Sequence, residues 1–143
     1  MLSNSSKYAL KAVLYLAIHS DEEKKLMVKD IYASINVPKP YLSKLLQELA
    51  RQGIISSTRG PKGGFYLTGE NRRQPLIRII EVIDGPIRLN SCMLSLEGCN
   101  EQRPCPLHVI MQPARAQLKR LLEQISVNDL SDDLHKEKSF LPL

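Results

Sequence analysis

The chain has 143 residues, 24% of them charged, and a formal net charge of +5 at neutral pH. That length suits roughly one domain, and no run reaches the roughly 20 apolar residues of a membrane-spanning helix. The N-terminal MLSNSSKYAL lacks the apolar stretch of a secretion signal, and the 3 cysteines crowd between Cys92 and Cys105. A disulfide framework is therefore a poor reading, and a cytoplasmic, reducing location without a membrane partner is expected.

Taken in chain order, residues 6 to about 20 place Tyr8, Ala9, Ala12, Val13, Leu16 and Ala17 at helical spacing, with Lys7 and Lys11 on the wet side. A charged loop, DEEKK, follows, and Val28, Ile31 and Ile35 then mark a short second helix ended by Asn36 and Pro38. From Pro38, Leu42, Leu45, Leu46 and Leu49 form the core stripe of a third helix that stops at Gly53. The segments IISSTRG and FYLTG flank Pro61-Lys62-Gly63-Gly64, the pattern of two strands around a glycine-rich turn. Next, Pro75 opens LIRIIEVIDG, a fourth helical stripe stopped by Gly85 and Pro86. Residues 87–106 show no period and read as an irregular loop. A long helix is expected over residues 107–125, where Leu107, Ile110, Ala114, Leu118, Leu121 and Ile125 recur as on a helix that packs against another helix, with Pro113 a point of kinking or restart. The tail beyond Asn128 is weakly patterned apart from Leu130 and Leu134, and no internal repeat is present.

Charge is concentrated in the middle of the chain. Between Asn36 and Arg73 stand Lys39, Lys44, Arg51, Arg59, Lys62, Arg72 and Arg73 against only Glu48 and Glu70. A gathered basic surface is the electrostatic footprint of a nucleic-acid binder, although charge alone fits a merely solvated face equally well. The second and third helices, joined by a short turn, outline a helix-turn-helix whose second member enters the major groove. Lys39, Tyr41, Ser43, Lys44 and Gln47 are the candidate contacts on it, with Tyr41 equally suited to packing. On the hairpin, Arg59 and Lys62 supply cations, and Gly63 lets backbone approach a phosphate or the minor groove closely. The expected fold is thus mainly α: a winged helix-turn-helix over residues 1–85, with a small β-hairpin wing, then a cysteine loop and a long C-terminal dimerisation helix over residues 86–143. A dimer would read a dyad-symmetric operator in double-stranded DNA.

Cys92, Cys99, Cys105 and His108 follow C-x6-C-x5-C-x2-H, a complete set of four ligands within one loop and the start of a helix. Three thiolates and an imidazole suit an iron-sulfur cluster or zinc, and spacing leaves both open. A structural zinc or a cluster-free thiol switch is the alternative to sensing through a cluster. His19 and His135 have no cysteine neighbours and read as structural. No base-orienting residue or glycine-rich substrate loop accompanies the cysteines, so an enzyme is not expected.

Five segments carry a resemblance: KYALKAVLYLA, PKPYLSKLLQELARQGII, STRGPKGGFYL, IIEVIDG and the cysteine run before the long helix. Together they resemble the Rrf-two-type, IscR- and NsrR-like winged-helix transcription regulators, over nearly the whole chain. The resemblance implies a homodimer with crossed C-terminal helices and an iron-sulfur cluster at Cys92, Cys99 and Cys105. In the IscR type a histidine shortly after the last cysteine is the fourth ligand; His108 matches it, which favours a 2Fe-2S cluster. Some NsrR-type members complete a 4Fe-4S cluster with a first-helix aspartate of the partner subunit. Here Tyr8 stands in that place, which weakens a nitric-oxide-sensing reading. Ser43 replaces a glutamate that influences site choice in some members, so operator preference does not carry over.

Overall fold

The computed structural model describes residues 2–94 and 100–137. In chain order it forms α1 (Asn4–His19), α2 (Val28–Ile35), α3 (Lys39–Arg51), β1 (Ser56–Thr58), β2 (Gly64–Tyr66), α4 (Gly69–Arg72), α5 (Leu76–Asp84), a single 3-10 turn (Arg88–Asn90), α6 (Pro106–Gln124) and α7 (Val127–His135). The architecture is mainly helical with one two-stranded antiparallel hairpin, as the apolar periodicities predict.

The core is built by the stripes read from the sequence. Ala9, Ala12, Val13 and Leu16 of α1, Ile31 and Ile35 of α2, and Leu42, Leu46 and Leu49 of α3 are buried together with Ile79 of α5. Burying each leucine or isoleucine side chain contributes about 1.5–3 kcal/mol. The turn between α2 and α3 is made by Asn36 in the left-handed conformation (φ 50°, ψ 54°), a backbone state that asparagine tolerates at a helix end. It points the apolar stripe of α3 back onto α1 and leaves the opposite side of α3 to solvent.

The strands are shorter than the β-branched run suggests. Ile54 and Ile55 are buried, and their amides donate to the carbonyl of Leu49 at 2.9 and 3.4 Å. They close the end of α3, and pairing begins only at Ser56, opposite Tyr66. The hairpin is then tied to the loop before α2: Leu26 N donates to Phe65 O at 2.9 Å, and Phe65 N donates to Leu26 O at 2.7 Å.

Two short helices carry little periodic apolar signal in the sequence. In α4 the hydroxyl of Thr68 accepts from Asn71 N, and the Asn71 side chain accepts from Thr68 N in return. This capping box nucleates one helical turn, whose Arg72 donates to Ala17 O and Ser20 O at 2.7 and 2.8 Å and so satisfies carbonyls at the end of α1. The helix α7 starts with the same device, Ser126 and Asp129, in a tail that was expected to be weakly patterned. Its Val127 is fully buried in the main core. Pro113 lies inside α6, which runs unbroken from Pro106 to Gln124.

Candidate nucleic-acid interface and cysteine cleft

The sequence of α3 sorts its residues by face. Its leucines are buried, while Lys39, Tyr41, Lys44, Gln47 and Arg51 are exposed and Ser43 is half-buried. Lys44, Gln47, Glu48 and Arg51 line one shallow groove, and Gln47, Arg51, Ser57, Thr58 and Arg59 line a second, between α3 and the hairpin. Glu48, the one acid on this face, is ion-paired with Arg51 and accepts from Gln52 at 3.2 Å. The field over the grooves is therefore set by Lys39, Lys44, Arg59 and Lys62, all exposed. Arg72, which swells the basic stretch in the sequence, is committed to the carbonyls of α1.

Of the two roles that the sequence leaves open for Tyr41, packing is visible, and part of the side chain remains at the surface. Its ring meets Tyr8 of α1 edge to face, with centroids 5.8 Å apart, its hydroxyl is hydrogen-bonded to Ser5, and it is still 37% exposed. A tyrosine gripped by ring and hydroxyl and still partly exposed is a pre-oriented surface group. The signal missing from the sequence is the pairing with α1, which joins residues 36 positions apart.

Gly63 has a reason to be glycine that involves no ligand. A Cβ there would stand 2.3 Å from Thr58 O and 2.7 Å from the Arg59 carbonyl carbon, and its amide closes the turn onto Gly60 O at 3.0 Å. Gly64 is similarly confined: its φ is +148°, and a Cβ would lie 2.6 Å from Leu26 O, within the tie that anchors the hairpin. Gly64→Ala should cost about 2–3 kcal/mol, since the obstructing atoms are Leu26 backbone that cannot give way without breaking the tie, and the positive φ is strained for alanine. Urea denaturation of the variant checks this, and an unchanged midpoint would show that the tie is dispensable.

Cys105 is the N-cap of α6, and its carbonyl accepts from His108 N at 3.0 Å. This turn brings His108 to the same small cleft as Cys105 and Cys92, which follows the 3-10 turn after α5. Met93, Leu94, Leu107 and Arg115 complete the lining. Cys99 lies outside the described residues. Among the described residues no three His, Cys, Asp or Glu side chains stand close enough to hold a metal ion. The donor chemistry nevertheless fits a thiophilic metal or cluster: two half-buried thiols and an imidazole border one cleft with apolar walls and a cationic side chain. His19 does not line this cleft; its ring meets Tyr15 at a tilt of 42°, with centroids 4.4 Å apart.

The long helix carries a second signal. None of its residues is buried, and Val109, Ile110 and Leu121 are 62%, 69% and 46% exposed. Among the described residues no helix is long and apolar enough to cross a membrane.

Comparison with known proteins agrees along the chain. A family model, Rrf2, described as an iron-dependent transcriptional regulator, matches residues 2–133. A protein of Aquifex aeolicus, provisionally named an HTH-type transcriptional regulator, is 30% identical over 100% of this chain and 98% of its own. The HTH-type transcriptional regulator IscR of Xenorhabdus nematophila is 29% identical over 90% of this chain and 77% of its own length. Among solved structures, CymR, the global cysteine regulator of B. subtilis, superposes with a TM-score of 0.73 at 26% identity, covering 92% of this chain and 96% of that one.

Proposed function

Because the chain belongs to the Rrf2 family of transcription regulators and is not an enzyme, we propose that it works in the cytoplasm as a homodimer on a dyad-symmetric operator, adjusting its grip through an iron-sulfur cluster. The observation that carries the DNA-reading part is the convergence of exposed Lys44 and Gln47 on α3 and Arg59 on the hairpin around adjoining grooves. Cations there neutralise phosphates and release counterions, while the amide of Gln47 and the hydroxyls of Ser43 and Tyr41 suit base edges or the sugar-phosphate chain. Lys39 and Lys62 widen the cationic margin, and Gly63 keeps the hairpin turn tight. The exposed apolar residues of α6 support pairing with a second copy, since such a face gains about 25 cal/mol for each Å² of apolar surface it covers.

Cys92, Cys99, Cys105 and His108 would hold the cluster, with the 2Fe-2S form favoured by one histidine among three thiolates and a 4Fe-4S form possible. When bound, the cluster supplies a centre sensitive to oxidants and to iron supply. The chain's part is to couple the order of the cysteine segment to the placement of the reading heads, which regulates only if the two states differ in DNA affinity. A cluster-free thiol switch is the second reading, favoured by Cys92 and Cys105 bordering one cleft and by the likeness to CymR.

Anaerobic purification followed by iron, sulfide and zinc analysis separates these readings. We expect about two irons and two sulfides per chain, with charge-transfer absorption in the visible, and near-complete loss of both in Cys92→Ala and Cys105→Ala. Zinc without iron would identify a structural staple. Absence of all metal, together with oxidant-sensitive DNA binding, would identify the thiol switch.

A further inference from the structure

The N-terminus of α1 touches both halves of the molecule. Leu2 packs against the small second cluster of Ile77, Ile80 and Leu89, with Leu122 of α6 beside it. Leu89 belongs to the 3-10 turn that leads directly to Cys92. One residue on from Leu2, Ser3 N and Ser3 Oγ donate to the Asp84 carboxylate at 3.2 and 2.5 Å, and Ser6 Oγ donates to it at 2.8 Å. Asp84 is the last residue of α5, immediately before the chain enters the cysteine segment. On its other side the same turn of α1 holds the reading helix, through Ser5 on the Tyr41 hydroxyl and Tyr8 on the Tyr41 ring.

From this continuity we infer that Asp84 is a positioning residue for DNA reading: by clamping Ser3 and Ser6 it fixes the first turn of α1, and through Ser5 and Tyr8 it sets Tyr41 at the head of α3. The inference rests on the assignment of α3 as the DNA-reading helix. The clamp is charge-assisted. Burial raises the Asp84 pKa, but hydrogen bonds from Ser3 and Ser6 and the positive charge of Arg88 outweigh it and hold the carboxyl below its usual range. Asp84 therefore stays a carboxylate, an acceptor for both serines, at any physiological pH. Arg88 lies in the same 3-10 turn as Leu89, so a rearrangement of the cysteine segment acts on this junction through both charge and packing. The route from the segment after Asp84 to Tyr41 consists of direct contacts throughout, which makes it a physical candidate for coupling rather than mere proximity.

Two measurements on the full-length protein test the inference. The first is amide hydrogen exchange in Asp84→Asn and in Ser3→Ala/Ser6→Ala, which removes the clamp from the opposite side. Both should accelerate exchange at residues 42–44 while residues 45–49 keep their protection; a uniform rise along α3, or no change at 42–44, overturns the proposal. The second is a double-mutant cycle on a duplex recovered by in vitro selection with the wild-type protein. Asp84→Asn and Tyr41→Phe should each weaken binding about three- to tenfold, and together no more than the larger single loss. Losses that multiply overturn it. Should no duplex be bound at all, the DNA-reading assignment fails, and the exchange pattern still decides whether Asp84 positions Tyr41.

Discussion

Lys44→Ala combined with Arg59→Ala should lower operator affinity by about ten- to a hundredfold at ~100 mM salt and flatten the dependence of log K on log salt by nearly two units. The reasoning is electrostatic. Each phosphate neutralised by a lysine or arginine contributes roughly 0.9 to that slope through counterion release. Lys44 and Arg59 sit on adjoining grooves and are both exposed, so their removal leaves the core intact and should shift stability by less than about 0.5 kcal/mol. Fluorescence anisotropy across a salt series gives both quantities, with the denaturation midpoint as control. An unaltered slope would mean that this face does not meet the polyanion. Arg51 is a poorer choice for the same experiment, because its loss would leave the charge of Glu48 uncompensated on the same face.

Among the buried polar side chains, the largest loss of stability is expected at Asn71. Its side chain is buried, with 6% of its surface exposed, and every polar atom in it is engaged. The oxygen accepts from Ser56 Oγ at 2.8 Å, Thr68 N at 2.9 Å and Thr68 Oγ1 at 3.0 Å, while the nitrogen donates to Gly53 O at 3.1 Å. One amide thereby joins the end of α3, the first strand of the hairpin and the start of α4. Asn71→Ala removes all four bonds and leaves half-buried Ser56 and Thr68 without replacements. Each such orphan costs about 1–3 kcal/mol where water cannot reach it, so a total of about 3 kcal/mol is expected after partial rehydration. For a chain of this size that corresponds to a fall in Tm of roughly 10 °C. Calorimetry on the variant decides the matter; a shift under about 3 °C would show that the three elements are joined by other means.

The contrast between these residues explains what the sequence discloses. Lys44 and Gln47 fall on the solvent face of α3 because the leucines at positions 42, 45, 46 and 49 fix the phase of the helix, and periodicity is a local property. The same holds for α1, α2 and α5, whose apolar stripes all reach the core. Asn71 gives no such sign, since a lone asparagine after a glycine and a glutamate reads as a turn. Its hub depends on partners 15 and 18 positions away. The short helices α4 and α7 were hidden for a related reason. Each rests on a capping box, Thr68 with Asn71 and Ser126 with Asp129; α4 is a single turn without an apolar position, and the nine residues of α7 offer only Val127, Leu130 and Leu134 among polar neighbours. The dipeptide Ile54-Ile55 misleads in the other direction, for its β-branched side chains suit a strand while its amides close the preceding helix. At the cysteine cleft, spacing names the donors and the fold brings Cys92, Cys105 and His108 to one place, but donor chemistry alone does not choose the metal.

The paired bonds between Leu26 and Phe65 have a mechanical consequence. They lock the ribbon to the segment that begins α2, so under the proposed DNA-reading role α3 and the ribbon would form the two jaws of a caliper. Held at a set gap by those bonds, such jaws would make one head a gauge of local duplex width. In the proposed dimer, accommodation of an imperfect half-site would then fall to bending of the duplex, or to rotation of one whole head against its twin about the long helix.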